Sequence, residues 1–157
     1  MPGLEDLYRE IILDHYRTPR NRGELDPPAI KAEGHNPLCG DEITVYLSIS
    51  GEGDEAVLDD IKIGGQGCSI SQSSASMMTQ SMKGKTVAEN RALARRFKSL
   101  MGIEGIEPQA GDDAIDLGDL EALEGVMKFP VRIKCAVLSW NTFLQALDTG
   151  GGTTSTE

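Results

Sequence analysis

The sequence lacks a long apolar run. None of its 157 residues falls in a window apolar enough to span a bilayer. The first segment, MPGLEDLYREIILDHYR, has neither the basic start nor the uninterrupted apolar stretch of a signal peptide. We therefore expect a cytoplasmic protein with no membrane partner.

Basic residues are also scarce. The chain has 15 lysines and arginines against 25 acidic residues, which gives a formal net charge of -10 at pH 7. A surface of this sign repels the phosphate backbone of nucleic acids and anionic lipid headgroups. The charge balance therefore argues against nucleic acid as a partner.

Cysteine and histidine are few, with three cysteines and two histidines. An odd number of cysteines without a secretion signal cannot all form internal disulfides, so we expect free or metal-bound thiols. A cysteine hydrolase built on Cys68 would need an oriented histidine. His15 falls on the apolar face of a predicted helix and is expected in the core. His35 is predicted in a loop near Cys39, where it could join a site.

The apolar pattern predicts an α+β fold, a small antiparallel sheet covered by helices. The predicted elements are a helix at 4–17, antiparallel strands within 42–50 and 57–65, a helix from Cys68 to Gly84, a helix after the capping box of Thr86 and Glu89, a short helix at 119–127 and a last helix from Pro130. Residues 17–30 and 101–118 are predicted loops. We expect a single domain at 1–148 and a flexible tail at 149–157.

The three cysteines fall where predicted elements begin, so their side chains could converge at one edge of the sheet. Cys39 precedes a strand, Cys68 follows GGQG at a helix start, and Cys135 lies in the first turns of the last helix. Backbone N–H groups at a helix N-terminus favour a thiolate at Cys68. Arg132 and Lys134 are expected to do the same for Cys135.

Asp41, two residues after Cys39, adds a carboxylate to these thiols. Three sulfurs and one oxygen make the four ligands of a tetrahedral zinc site, and soft ligands also suit an iron–sulfur centre. The C-x-D spacing lacks the paired C-x-x-C knuckles of structural zinc modules. We interpret Asp41 as the ligand at which such a site opens.

Other interpretations stay open for the same residues. Each cysteine could be a small buried apolar residue, and Asp41 could serve as a turn or cap. Arg132 and Lys134 could be solvated helix residues, or could restrain Asp41 or guide a partner. A structural zinc site in an interaction module is a further possibility. Three methionines are predicted to pack in the core, namely Met77, Met78 and Met82.

Four ordered segments resemble the IscU/SufU/NifU N-terminal family of iron–sulfur cluster assembly proteins. They are ILDHYRTPRNRG, HNPLCGDEITVYL, GGQGCSISQSSASMMT and FPVRIKCAVLSW, and the resemblance extends from about residue 5 to 147. It implies an α+β sandwich. It also implies that Cys39, Asp41, Cys68 and Cys135 are the metal and cluster ligands.

Departures from the family pattern resemble its SufU branch. The scaffold branch has LPPVK and a histidine before its last cysteine, whereas this chain has KFPVRIKC, with Lys134 in the histidine position. An acidic segment at 99–118 is similar to the SufU insertion. The resemblance implies a zinc-dependent sulfurtransferase that serves a SufS-type cysteine desulfurase.

This resemblance implies that a desulfurase persulfide transfers its outer sulfur to a thiolate here. We predict Cys39 as the catalytic acceptor because it precedes Gly40 in a loop, and Cys68, Cys135 and Asp41 as retained zinc ligands. The alternative is a scaffold that assembles a [2Fe–2S] cluster on the same residues. Suf assembly proteins and apo iron–sulfur proteins would then be further partners.

Overall fold

The computed structural model describes residues 4–106, 109–149 and 152–155. The helices are α1 (Leu4–Arg17), α2 (Ser69–Met82), α3 (Val87–Leu100) and α4 (Pro130–Thr149). The strands are β1 (Ile30–Asn36), β2 (Asp41–Ser50), β3 (Val57–Gln66) and β4 (Gly152–Ser155). Shorter 3₁₀ segments lie at Gly53–Glu55, Asp112–Ala114 and Gly118–Lys128.

The strands form one sheet in the order β3-β2-β1-β4. The predicted antiparallel pairing of β2 with β3 is confirmed, and β1 also pairs antiparallel with β2. In the β1–β2 hairpin the last residue of β1, Asn36, is opposite the first residue of β2, Asp41. The hairpin turn therefore brings residues 37–40 to one end of the sheet.

Strand β1 is an element that the sequence did not predict. Its inward positions are Ala32, Gly34 and Asn36, which are small or polar, so no apolar alternation marks the strand. At Gly34 an added Cβ would collide with the Thr142 side chain of α4. The absence of a side chain thus lets α4 lie close against β1.

One face of the sheet carries the core. Ile43, Val45 and Leu47 of β2 are fully buried and Ile49 is partly buried, while α4 packs over β1 and β2 and α2 packs over β3. Trp140 of α4 stacks on Phe97 of α3, with ring centroids 4.5 Å apart and planes inclined by 14°. The α+β class, with helices covering a small sheet, is confirmed.

The local signals at helix starts are also confirmed. Thr86 and Glu89 form both hydrogen bonds of a capping box at the start of α3. Cys68 is the N-cap of α2, and its sulfur accepts from the Ser71 N–H at 3.5 Å. The predicted short helix at 119–127 is present as the 3₁₀ segment Gly118–Lys128, which contacts α1, α2 and α4.

An ion pair between Arg95 and Asp112 attaches the acidic insertion to α3. Arg95 Nε donates to Asp112 Oδ2 at 3.0 Å, and the Gln109 N–H donates to the same oxygen at 2.9 Å. The Arg95 hydrogen bond, aided by the Gln109 N–H, lowers the pKa of the Asp112 carboxyl.

Part of the segment predicted as a tail, 149–157, lies in regular elements of the structure. Thr149 ends α4, and Gly152–Ser155 pair parallel with β1 from Ala32 to His35. Backbone N–H and C=O groups along the β1 edge are available to pair with a short strand. The β-branched residues Thr153 and Thr154 favour an extended backbone. Residues 150–151 and 156–157 lie outside the described part. Among the helices of the described ranges, none combines the length and apolar character needed to cross a membrane.

Candidate metal centre

The β1–β2 hairpin positions two of the predicted ligands. Cys39 lies in the turn, where its N–H donates to the Asn36 carbonyl at 3.2 Å, and Gly40 takes a φ of +70° that favours glycine. Asp41 follows as the first residue of β2 and is 1% exposed. The hairpin therefore holds a thiol and a carboxylate at the same end of the sheet.

The other two ligands come from helix starts. Cys68 is at the N-terminus of α2, and its backbone N–H donates to Asp41 Oδ1 at 2.9 Å. An added Cβ at Gly67 would lie 2.5 Å from that same oxygen, so glycine leaves the space that the carboxylate fills. Cys135, in the second turn of α4, is fully buried.

Three of the four predicted residues, Cys39, Asp41 and Cys135, form one cluster, and Cys68 lies beside Asp41. The sulfurs of Cys39 and Cys135 are 3.2 Å apart, and the donor atoms of Cys39, Asp41 and Cys135 all lie within 4.8 Å of one another. Cys68 Sγ is 4.0 Å from Asp41 Oδ2. Two of the three thiols, Cys39 and Cys135, are thus in contact, and Cys68 is placed against Asp41.

Asn36 is a member of the cluster that the sequence did not indicate. It is fully buried, and its amide Nδ2 is 3.3 Å from Asp41 Oδ2 and 3.4 Å from Cys135 Sγ. The signal that could have identified it is a polar residue at an inward position of a strand. That signal was hidden because β1 itself was not predicted.

The electrostatics of Cys135 differ from the expectation. Burial raises the pKa of its thiol well above the usual range, and hydrogen bonds with Cys39 and Asp41 and the charge of Cys68 act in the same direction. Arg132 lies beside the cluster, since its hydrogen bond with Cys135 raises the pKa of the guanidinium. Arg132 and Lys134 therefore do not make Cys135 an easily ionised thiol, because desolvation is the larger effect.

This donor set fits a soft divalent cation. A buried carboxylate and converging thiols repel one another once ionised, and a cation between them removes both the repulsion and the desolvation penalty. Sulfur ligands favour zinc or iron over magnesium or calcium. Cys39, Asp41, Cys68 and Cys135 are the residues that could hold such an ion.

The two histidines lie away from the cluster. His15 is fully buried, with Nδ1 2.8 Å from Ser76 Oγ and Nε2 2.9 Å from Asp119 Oδ2, which confirms a hydrogen-bonded core histidine. His35 lies in β1, not in a loop, and neighbours Asn36 in the strand. Successive strand residues face opposite sides, so His35 faces away from the thiols. The predicted core methionines are fully buried, namely Met77, Met78 and Met82.

Comparisons with known proteins agree with this fold and cluster. The family model of the NifU-like N terminal domain matches residues 7–136. The zinc-dependent sulfurtransferase SufU of Bacillus subtilis (strain 168) is 46% identical over 138 residues, covering 88% of this chain and 87% of that protein. The iron–sulfur cluster assembly scaffold protein IscU of Streptococcus pyogenes serotype M1 is 40% identical over 145 residues, covering 92% of this chain and 84% of that protein.

A solved structure is similar over nearly the whole fold. It is described as an iron–sulfur cluster assembly scaffold protein for the SUF system from Fervidobacterium islandicum AW-1. It matches with a TM-score of 0.74 and 32% identity, covering 93% of this chain and 100% of that one.

Proposed function

This chain belongs to the family of NifU-like N-terminal domains, and from that premise we propose that it is a zinc-dependent sulfurtransferase of iron–sulfur cluster assembly. The observation that carries the proposal is the convergence of Cys39, Asp41 and Cys135 at one end of the sheet, with the Cys68 sulfur 4.0 Å from Asp41 Oδ2. The 46% identity to a relative named as a zinc-dependent sulfurtransferase supports it.

Cys39, Asp41, Cys68 and Cys135 would hold the zinc ion. Bound zinc would keep the thiols deprotonated and, because it has no redox chemistry, would leave their oxidation state unchanged. Asp41 also has a structural role, because its Oδ1 accepts the N–H at the start of α2. Its Oδ2 lies 4.0 Å from the Cys68 sulfur, accepts from Asn36 Nδ2 and is the oxygen available as a ligand.

Cys39 is the proposed sulfur acceptor. It is partly exposed in the hairpin turn, and Gly40 beside it is exposed with open space around its Cα. Cys135 is fully buried in α4, and the Cys68 sulfur accepts the N–H of Ser71. Of the three sulfurs, that of Cys39 is therefore the one that can move outward with the least disturbance of a helix.

The transfer is a thiol–persulfide exchange. The Cys39 thiolate attacks the outer sulfur of a cysteine persulfide on the donor protein, and a sulfur–sulfur bond forms at Cys39. The sulfur–sulfur bond of the donor breaks, and the donor cysteine leaves as a thiolate. One persulfide replaces another, so no external oxidant or reductant is needed.

The donor would be a cysteine desulfurase, which we propose to be of the SufS type. Apolar side chains are exposed beside the cluster, as a docking surface requires. Leu38, next to Cys39, is 64% exposed, and Val131, one helical turn before Cys135, is 58% exposed. These residues support docking of the donor at the end of the sheet where Cys39 lies.

The second candidate is a scaffold that assembles a [2Fe–2S] cluster on the same four residues and passes it to apo proteins. The 40% identity to a relative named as a scaffold favours it. The positions of His15 and His35 disfavour a site of the scaffold branch, because neither reaches the thiols.

The test combines metal analysis with desulfurase turnover. Protein purified without oxygen should contain about one zinc per chain and no colour, and it should accelerate a SufS-type desulfurase. The Cys39→Ser variant should keep the circular dichroism of the folded protein and lose that acceleration. Acceleration retained by Cys39→Ser would remove Cys39 as acceptor, whereas iron, acid-labile sulfide and visible absorption would favour the scaffold.

A further inference from the structure

Asn36 is in contact with three of the four proposed ligands. Its backbone carbonyl accepts the Cys39 N–H at 3.2 Å, and its side-chain amide is 3.3 Å from Asp41 Oδ2 and 3.4 Å from Cys135 Sγ. The residue is fully buried at the end of β1. One side chain thus connects the hairpin to α4 inside the cluster.

The orientation of this amide follows from the chemistry of its neighbours. Asp41 Oδ2 and an ionised Cys135 sulfur are acceptors, so the NH₂ end must face them and the carbonyl end must face away. The Asn36 Oδ1 has no hydrogen-bond partner among the described residues. No competing hydrogen bond therefore favours the flipped orientation of the Asn36 amide. The amide donates to both acceptors without adding a positive charge that would compete with a metal.

We infer that Asn36 is a positioning residue, which holds Asp41 and Cys135 in place while Cys39 leaves the metal to accept sulfur. This inference rests on the proposed function. The distinction between retained and departing ligands follows from the contacts, because the side chain of Asn36 bonds Asp41 and Cys135 but bonds Cys39 only through the backbone. Replacing the side chain therefore loosens two ligands and leaves the turn of the third intact.

A purely structural role of a buried amide must be separated from this one. Asn90 in α3 is the matched control. It is also fully buried, it donates one hydrogen bond from Nδ2 to the Met82 carbonyl at 3.3 Å, and its Oδ1 has no partner among the described residues. Leucine has the same number and branching of side-chain heavy atoms as asparagine and no donor, so both substitutions remove the hydrogen bonds of a buried amide, two at Asn36 and one at Asn90.

The experiment measures metal release from the zinc-loaded full chain to a chromophoric chelator. Because residues that orient metal ligands typically contribute 10–100-fold in affinity, Asn36→Leu should release zinc at least about tenfold faster than the native chain. Asn90→Leu should stay within about twofold, even if both variants lose thermal stability. In cobalt-substituted protein, only the change at Asn36 should alter the sulfur-to-cobalt absorption.

A second readout follows zinc during sulfur transfer. The native chain should retain its zinc through turnover with the desulfurase, and Asn36→Leu should lose it in the same assay. Asn36→Ala, which removes the donors without adding a charge or a metal ligand, provides the test if the leucine variant does not fold. Equal release rates and cobalt spectra for the Asn36 and Asn90 variants would overturn the inference alone, while a native chain that binds neither zinc nor cobalt would overturn the proposed function with it.

Discussion

At the residue scale, the protonation of Cys135 determines how the cluster binds a cation. Its sulfur is buried with Asp41, Cys39 and Cys68 around it, and burial is the largest cause of its raised pKa. Arg132 at the rim offsets only part of this effect. Without a cation, Cys135 is therefore a neutral thiol, and metal binding must displace its proton.

This proton makes the zinc affinity depend on pH. An ordinary thiol, with a pKa of about 8.5, is largely ionised at pH 9.5 and has no proton left to release. Because the pKa of Cys135 is raised, zinc binding should still release about one proton at that pH. Calorimetric titration in buffers of different ionisation enthalpy measures this number, and Cys135→Ser is the control that should lack the release. An affinity that is constant between pH 8 and 9.5 would contradict the buried thiol.

At the element scale, the cluster depends on the close approach of α4 to β1. Gly34 faces Thr142 and Leu138 of α4, whereas Gly64 in β3 has nothing within 4 Å of an added Cβ. Both are strand glycines without positive φ. They form a matched pair in which only one substitution pushes a helix away from the sheet.

We expect Gly34→Ala to lower the free energy of unfolding by about 1–3 kcal/mol, because the added methyl group overpacks the interface. The same change should weaken zinc binding, since α4 carries Cys135. Gly64→Ala should change stability by less than about 0.5 kcal/mol. Urea denaturation measures the loss of stability, and zinc competition measures the loss of affinity. Equal losses in both variants would show that neither effect depends on the close approach of α4 to β1.

The elements that could be predicted are those with strong local signals. The capping box of Thr86 and Glu89, the glycine near Cys68 and the apolar alternation of β2 each depend on residues within one turn or strand. Strand β1 and Asn36 could not be found this way, because Ala32, Gly34 and Asn36 become inward residues only when α4 packs on them. The ligand set was predicted from residue types, but the burial of Cys135 is a tertiary effect.

At the scale of the whole molecule, the cluster lies at one end of a sheet with helices on its core face. The predicted ligands from the β1–β2 hairpin, the start of α2 and the second turn of α4 lie there, so the proposed site requires the packing of sheet and helices. Strand β4 lies at the sheet edge, and within the described part of the chain it pairs with β1 alone. The fold should therefore tolerate the loss of β4 better than the loss of any other strand.

We propose that residues 1–148 form the folding unit, and removal of residues 149–157 tests this. The shortened chain should unfold cooperatively and keep its zinc, with stability lowered by about 1–3 kcal/mol for the few lost backbone hydrogen bonds. Amide exchange should locate the effect: it should accelerate at Ala32–His35, which face β4, and stay slow in β3, which does not contact it. Loss of zinc on truncation would mean that β4 holds β1, and with it Asn36, in the position that the metal centre needs.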